Sequence, residues 1–245
     1  MGSFFINLGL LIKRELAAYL RRPSGYFIAA GLLLLDGLLF NAFAIGEERQ
    51  VSSEVLRIYF YFGGAVTMIG GVLFSMRLLA EERAAGTDVL LFTSPVREAE
   101  IVLGKYLATL VFMTAVTLCS LYLPALILIN GKVSWGHIAA GYLGMILLGA
   151  TTLAIGAFAS SLTKNPFLAV VLTGVIVVLL ELSWPLGQTV DPPFRDLLSY
   201  VALHTKHFTP FQNGLVQLSD VVFYGSIIYV SLLAATKVTE SQRWQ

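Results

Sequence analysis

The sequence is short of what a soluble domain is built with. Charged residues make up 13% of its 245 positions, about half of the ~25% usual for a soluble globular chain. Cys119 is the single cysteine, which excludes an internal disulfide and a thiolate metal cage. The formal net charge is +1, so there is no basic excess of the kind that neutralises phosphates, and no nucleic-acid partner is expected. Internal repeats, low-complexity stretches and a second polar domain are missing too. Lys13 and Arg14 follow a short apolar stretch without a small-residue cleavage site, so no signal peptide is expected.

What is abundant is apolar sequence, 57% of all residues. A hydrocarbon core about 30 Å thick needs roughly 20 apolar residues per helix. Six runs qualify: Tyr26–Ile45, Ile58–Leu79, Ile101–Ile129, His137–Leu162, Phe167–Leu186 and Val221–Thr236. The reading is an all-α polytopic membrane protein, one domain over 1–245, with both termini on one side.

Cation placement orients it. Lys13, Arg14, Arg21, Arg22, Arg77, Arg83, Arg97, Lys105, Lys164, Lys237 and Arg243 fall on the side of the termini; Arg49, Arg57, Lys132, Arg195 and Lys206 fall on the other. Eleven against five predicts cytoplasmic termini. Residues 1–24 then hold a cytoplasmic amphipathic helix, with Leu8, Leu11, Ile12, Leu16 and Tyr19 at helical spacing among Lys13, Arg14, Arg21 and Arg22. It suits the membrane interface, and Pro23 ends it. On the outer side, residues 187–220 are too apolar for a free loop. Two short helices resting on or dipping into the outer leaflet would satisfy their backbone.

The polar connection 80–105, AEERAAGTDVLLFTSPVREAEIVLGK, is the candidate functional segment. Glu81, Glu82 and Arg83 open it; Gly86-Thr87-Asp88 breaks it; Leu90 and Leu91 form an apolar stretch that Pro95 ends. Charges that set register beside apolar anchors suit docking of a cytosolic partner. The chain has no phosphate loop of its own: Leu103-Gly104-Lys105-Tyr106 lacks both the upstream glycine and the following Ser or Thr. ATP and Mg, if used, are bound elsewhere, and no cofactor is expected in this chain.

Inside the spans, Asp36 lies near the bilayer centre, where an ionisable group costs roughly 2.5–3.5 kcal/mol and should face protein or water. It either bonds another helix or lines a substrate path with Asn41, five residues on; Glu181 in the fifth span poses the same choice. Two ionisable groups are too few for a proton relay, and no histidine or lysine at membrane depth could activate Ser120, Thr151 or Thr152, so a membrane hydrolase is excluded and no catalytic residue is expected. His204 and His207 could share a metal, but no carboxylate or cysteine close in sequence completes the set, and no metal site is expected. Gly63, Gly64, Gly70 and Gly71 in the second span, and Gly141, Gly144, Gly149 and Gly156 in the fourth, suit close helix packing, with a dimer or gate contact as the alternative for some.

The connection, with Glu82-Arg83, Gly86-Thr87, Leu90-Leu91, Pro95, Gly104-Lys105 and Tyr106-Leu107-Ala108, resembles the loop after the second helix of ABC-2-type transporter permeases. The tail Phe208-x-x-Phe211-x-x-Gly214-Leu215-Val216-x-Leu218-x-Asp220 resembles the gliding-motility and copper-maturation subgroup, the copper branch lacking support from any metal set. The resemblance implies a transmembrane permease subunit of an ATP-binding cassette exporter in the bacterial inner membrane, working as a homodimer or with a paralogue above two cytosolic ATPase subunits. In some gliding-type systems a membrane-anchored auxiliary subunit is also present. It further implies that 80–105 supplies a coupling helix and that residues 1–24 form the elbow helix beside it. Asp88 stands where a glutamate often follows Gly-Thr and keeps its charge. The rival reading is a non-transporting anchor or signalling scaffold that docks a cytosolic partner through the same loop.

Overall fold

A computed structural model describes residues 2–44, 51–87, 97–130, 133–192 and 194–242. The described chain is helical throughout, without strands, and six helical stretches are long and apolar enough to cross a membrane. They run over Pro23–Ala44, Ser52–Ala84, Glu98–Ile129, Trp135–Ser161, Pro166–Gln188 and Leu218–Gln242. Residues 88–96, and with them Asp88, Leu90, Leu91 and Pro95, lie outside the described residues.

The elements are α1 (Gly2–Arg21), α2 (Pro23–Leu39), α3 (Ser52–Phe74), α4 (Ala80–Ala84), α5 (Glu98–Cys119), α6 (Tyr122–Asn130), α7 (Trp135–Ser161), α8 (Pro166–Gln188), α9 (Phe194–Val201), α10 (Thr209–Gln212) and α11 (Leu218–Gln242). Wider π-helical turns cover Phe40–Ala44 and Leu203–Phe208. Pro23 opens α2 at its first helical position, where a missing N–H costs nothing.

Two of the long runs are not single helices. The third breaks at Ser120 and Leu121 between α5 and α6. Pro124 explains the break: it cannot donate to the Ser120 carbonyl four residues back, and its ring crowds that oxygen. The second run tightens into a 3₁₀ turn at Ser75–Arg77 before α4. Ser160 of α7 catches the broken end, its Oγ accepting from Leu79 N at 3.0 Å and Ala80 N at 2.9 Å.

Helix α7 is the centre of the bundle: 78% of its apolar window is buried, against 11% for α11. Its small residues make this possible. A Cβ on Gly141 would run into the Phe60 ring of α3, on Gly144 into Phe211 beyond α9, on Gly149 into Met113 of α5, and on Gly156 into Ser75 of the 3₁₀ turn. Four glycines on one helix thus receive four different neighbours. The glycines of α3 are used the same way, Gly64 by Phe208, Gly70 by Leu32 and Gly71 by Thr152. These close approaches are all inside one chain, as ordinary bundle packing requires.

Candidate functional site

The site grows from the end of the bundle where the termini lie. Helix α1 lies on α5, and Gly104 allows it: a Cβ there would sit 2.9 Å from Leu11 Cβ. The buried Tyr19 ring stacks on Phe112 at 5.1 Å, and its hydroxyl bonds Thr109 Oγ1 at 2.9 Å. Burial pushes the Tyr19 phenol up to about 12, so it stays neutral in any physiological buffer.

Lys105, one residue beyond Gly104, is buried to all but 5% of its surface. Its ammonium meets Glu82 of α4 at 2.9 Å and Glu15 of α1 at 3.4 Å. Arg14 reaches the same two carboxylates, at 3.5 and 2.6 Å. Burial raises the Glu15 carboxyl, but the Lys105 and Arg14 charges outweigh it and hold the group below its ordinary value. Beside this knot, Glu81 pairs with Arg22 at 2.5 Å and with Arg77 at 3.4 Å. The Arg77 guanidinium lies 4.5 Å above the Tyr19 ring, an arrangement that favours a cation. Arg83 donates to the Ser161 carbonyl at the end of α7, which also accepts from Gln242 at 3.1 Å.

Glu81, Glu82 and Arg83 therefore face their own chain: they fasten α4 to α1, α5 and α7. Gly86 and Thr87 close the helix. Gly86 adopts φ +68°, its N–H reaches Arg83 O at 3.2 Å, and the Thr87 N–H reaches Glu82 O at 3.0 Å. That bond pair with a left-handed glycine is a Schellman C-cap, so the Gly-Thr pair stops α4 and turns the chain toward 88–96.

The buried ionisable residues of the spans are not gathered in one place. Asp36 is 4% exposed and lines a cavity of about 30 Å³ with Gly63, Thr67, Thr117, Ser120 and Met145 among its walls. Asn41 is exposed on the π-helical turn and does not line it. Glu181 belongs to a different place: Oε1 accepts from His204 N at 2.7 Å and Oε2 from Thr205 Oγ1 at 3.4 Å. It also ends an open apolar groove of about 480 Å³ between α3 and α8, walled by Met68, Ile69, Val72, Val177 and Val178.

The histidines form a second constellation, whose partners the sequence did not announce. His137 of α7 donates through Nε2 to Gln212 O at 2.7 Å. His204 donates through Nε2 to Tyr61 O at 2.9 Å. His207 places Nδ1 2.7 Å from Asp220 Oδ1 and Nε2 2.8 Å from Tyr200 O, with its ring stacked on Phe223 at 3.6 Å. All three histidines of the chain thus bind segment 187–220 to spanning helices or to itself. His204 and His207 point to separate partners, and among the described residues no group of three His, Cys, Asp or Glu could hold a metal. The carboxylate that His207 uses is thirteen residues away in sequence, too far for spacing to reveal. Phe208 and Phe211, both 0% exposed, carry the segment inward onto Gly64 and Gly144, so it dips into the bundle. It does so in three short helical pieces, α9, the π-helical turn and α10, one more than the sequence suggests.

The architecture is six candidate spans, a helix packed along the cation-rich end and a far-side segment that dips into the bundle. The family model of the ABC-2 family transporter protein matches residues 14–213, most of the chain, and the protein belongs to that family as a multi-pass integral membrane permease. No curated protein matches the chain in sequence.

Proposed function

We propose that the protein is the transmembrane subunit of an ATP-driven exporter, with ATP and Mg bound by a separate pair of cytosolic ATPase subunits and the permease present in two copies. The end carrying both termini faces the cytoplasm of a bacterial inner membrane, in line with eleven cations against five. Within the family, the loop and tail motifs are the support for a gliding-type subgroup. The observation that carries the reading is the fastening of the 80–105 connection. Lys105 ties α4 to the elbow helix α1 through Glu82 and Glu15, and Arg83 ties it to α7. A push delivered to residues 88–96 by an ATPase is therefore handed to three elements at once. Glu81, Glu82 and Arg83 transmit in this scheme, Gly86-Thr87 aims the segment, and Asp88, Leu90, Leu91 and Pro95 make the contact. The apolar groove that ends at Glu181 is the candidate for cargo contact, since the Asp36 cavity is too small for one.

Leu90→Ala with Leu91→Ala should weaken ATPase binding by about 2 kcal/mol or more, as loss of interface anchors does, and leave the bundle folded. Co-purification of the ATPase, then ATPase and transport assays in liposomes, tests this. Wild-type retention and transport in the double variant would remove the coupling role. ATPase activity indifferent to every cargo, with the complex intact, would favour the scaffold.

A further inference from the structure

Both ring nitrogens of the buried His207 meet acceptors. Nε2 lies 2.8 Å from the Tyr200 carbonyl oxygen, an atom that can only accept, so Nε2 carries a hydrogen and donates it. Nδ1 lies 2.7 Å from Asp220 Oδ1. A neutral imidazole has a single N–H, already given to Tyr200, and would turn a bare lone pair on a carboxylate oxygen at that distance. The contact needs one more proton between Nδ1 and Oδ1, whichever of the two atoms carries it.

The surroundings offer no substitute for that proton. Tyr224 of α11 gives its hydroxyl to Leu203 O at 2.8 Å, and Tyr200 of α9 meets His207 ring to ring at right angles. Glu181 of α8 accepts from His204 N and Thr205 Oγ1. His137 of α7 is bonded to Gln212 O and His204 to Tyr61 O, while the neighbouring Lys206 is exposed. Among the described residues, His207 is the one basic group paired with Asp220. Asp220 Oδ2 is buried without a hydrogen-bond partner, so a neutral His207 would leave a buried carboxylate uncompensated. The first turn of α11, where Asp220 sits, eases a negative charge but supplies no proton to Nδ1. The pair also joins three elements, the π-helical turn through His207, α9 through the Tyr200 carbonyl and α11 through Asp220.

We propose that one bound proton, held between His207 and Asp220, seats the far-side segment by tying the turn Leu203–Phe208 to α9 and to the start of α11, and that alkaline pH releases it. The proposal is independent of the coupling scheme above. When the segment lifts away, an ordinary solvated imidazole is neutral above about pH 6.5 and a solvated carboxyl is ionised. The seated form then holds one proton more than the lifted form. Seating therefore weakens as pH rises, by up to about tenfold in its equilibrium constant per pH unit.

Hydrogen exchange over 203–212, on the full chain in detergent and corrected for the chemical rate at each pH, reads this between roughly pH 6.5 and 9. Wild-type protection should fall with that slope. In Asp220→Asn the carboxamide can donate to Nδ1 without any added proton, so protection should persist at the alkaline end and stay flat. A flat wild-type profile would overturn the proposal, and so would a wild-type slope retained in Asp220→Asn. Should Asp220→Asn lack protection at every pH, His207→Gln decides: with His137 and His204 intact, a slope that remains belongs to them and overturns the assignment, while a flat profile upholds it.

Discussion

The two ends of the bundle are fastened by different chemistry. Where the termini lie, α1, α4 and α5 are joined by ion pairs whose partners are partly open to solvent, Glu82 at 22% and Arg22 at 58% side-chain exposure. At the far end, the 187–220 segment is joined by rings and directional hydrogen bonds among residues almost wholly buried, His207 at 2% and Phe208 at 0%. Long charged side chains keep their attraction over a range of separations and angles. Packed rings against glycine do not: a gap of about an ångström already forfeits up to about half of the attraction. The first end is suited to being displaced without coming apart, and the second to being either seated or unseated.

The comparison can be broken first at the far end. Phe208→Ala empties a fully buried ring site against Gly64 and Gly144 and should cost about 3–5 kcal/mol, read as a lower unfolding midpoint and faster hydrogen exchange over 203–212. If the segment merely rested on the surface, the loss would stay under about 1 kcal/mol.

At the other end, Lys105→Met should cost about 2 kcal/mol, less than a fully buried pair because Glu15 and Glu82 keep some exposure. Adding Glu82→Gln should recover part of the loss; additive losses in that double variant would mean that the two residues do not act as a pair.

A milder perturbation is acid. The Glu15 carboxyl is held below its ordinary value in the folded chain. Its contribution is therefore complete above the unfolded value near 4.5 and is lost as pH falls through the depressed folded value. Exchange protection of α1 should fall in that acid range, and protection unchanged there would contradict the assignment. The smallest effect belongs to Arg22→Ala. It breaks an exposed pair with Glu81, and about 0.2–1 kcal/mol, diminished by salt, is expected in thermal unfolding.

Much of this was legible in advance, and some of what was missed was legible too. Pro124 stands inside the third apolar run, and its missing N–H marks the break at Ser120 as plainly as Pro23 marks the start of α2. Gly86-Thr87 was readable as a helix stop, because only a left-handed residue completes that cap. Gly104-Lys105 was not readable, since a glycine that admits Leu11 and a lysine that meets Glu15 involve residues about ninety positions away. The inward set of Glu81, Glu82 and Arg83 was hidden for the same reason: from sequence they look like a solvated, partner-facing run.

The number of spans, their all-helical character, the shared side of the termini and the cation asymmetry were determined by the sequence alone. Each depends on how single residues or short runs partition between water and hydrocarbon, a local property. Which helix is central, which carboxylate each histidine answers, and that Asp36 and Asn41 part while Asp36 joins Ser120 were decided only by tertiary structure. Those outcomes depend on pairwise distances set when glycine-bearing faces close on one another, and no residue carries that distance in its identity.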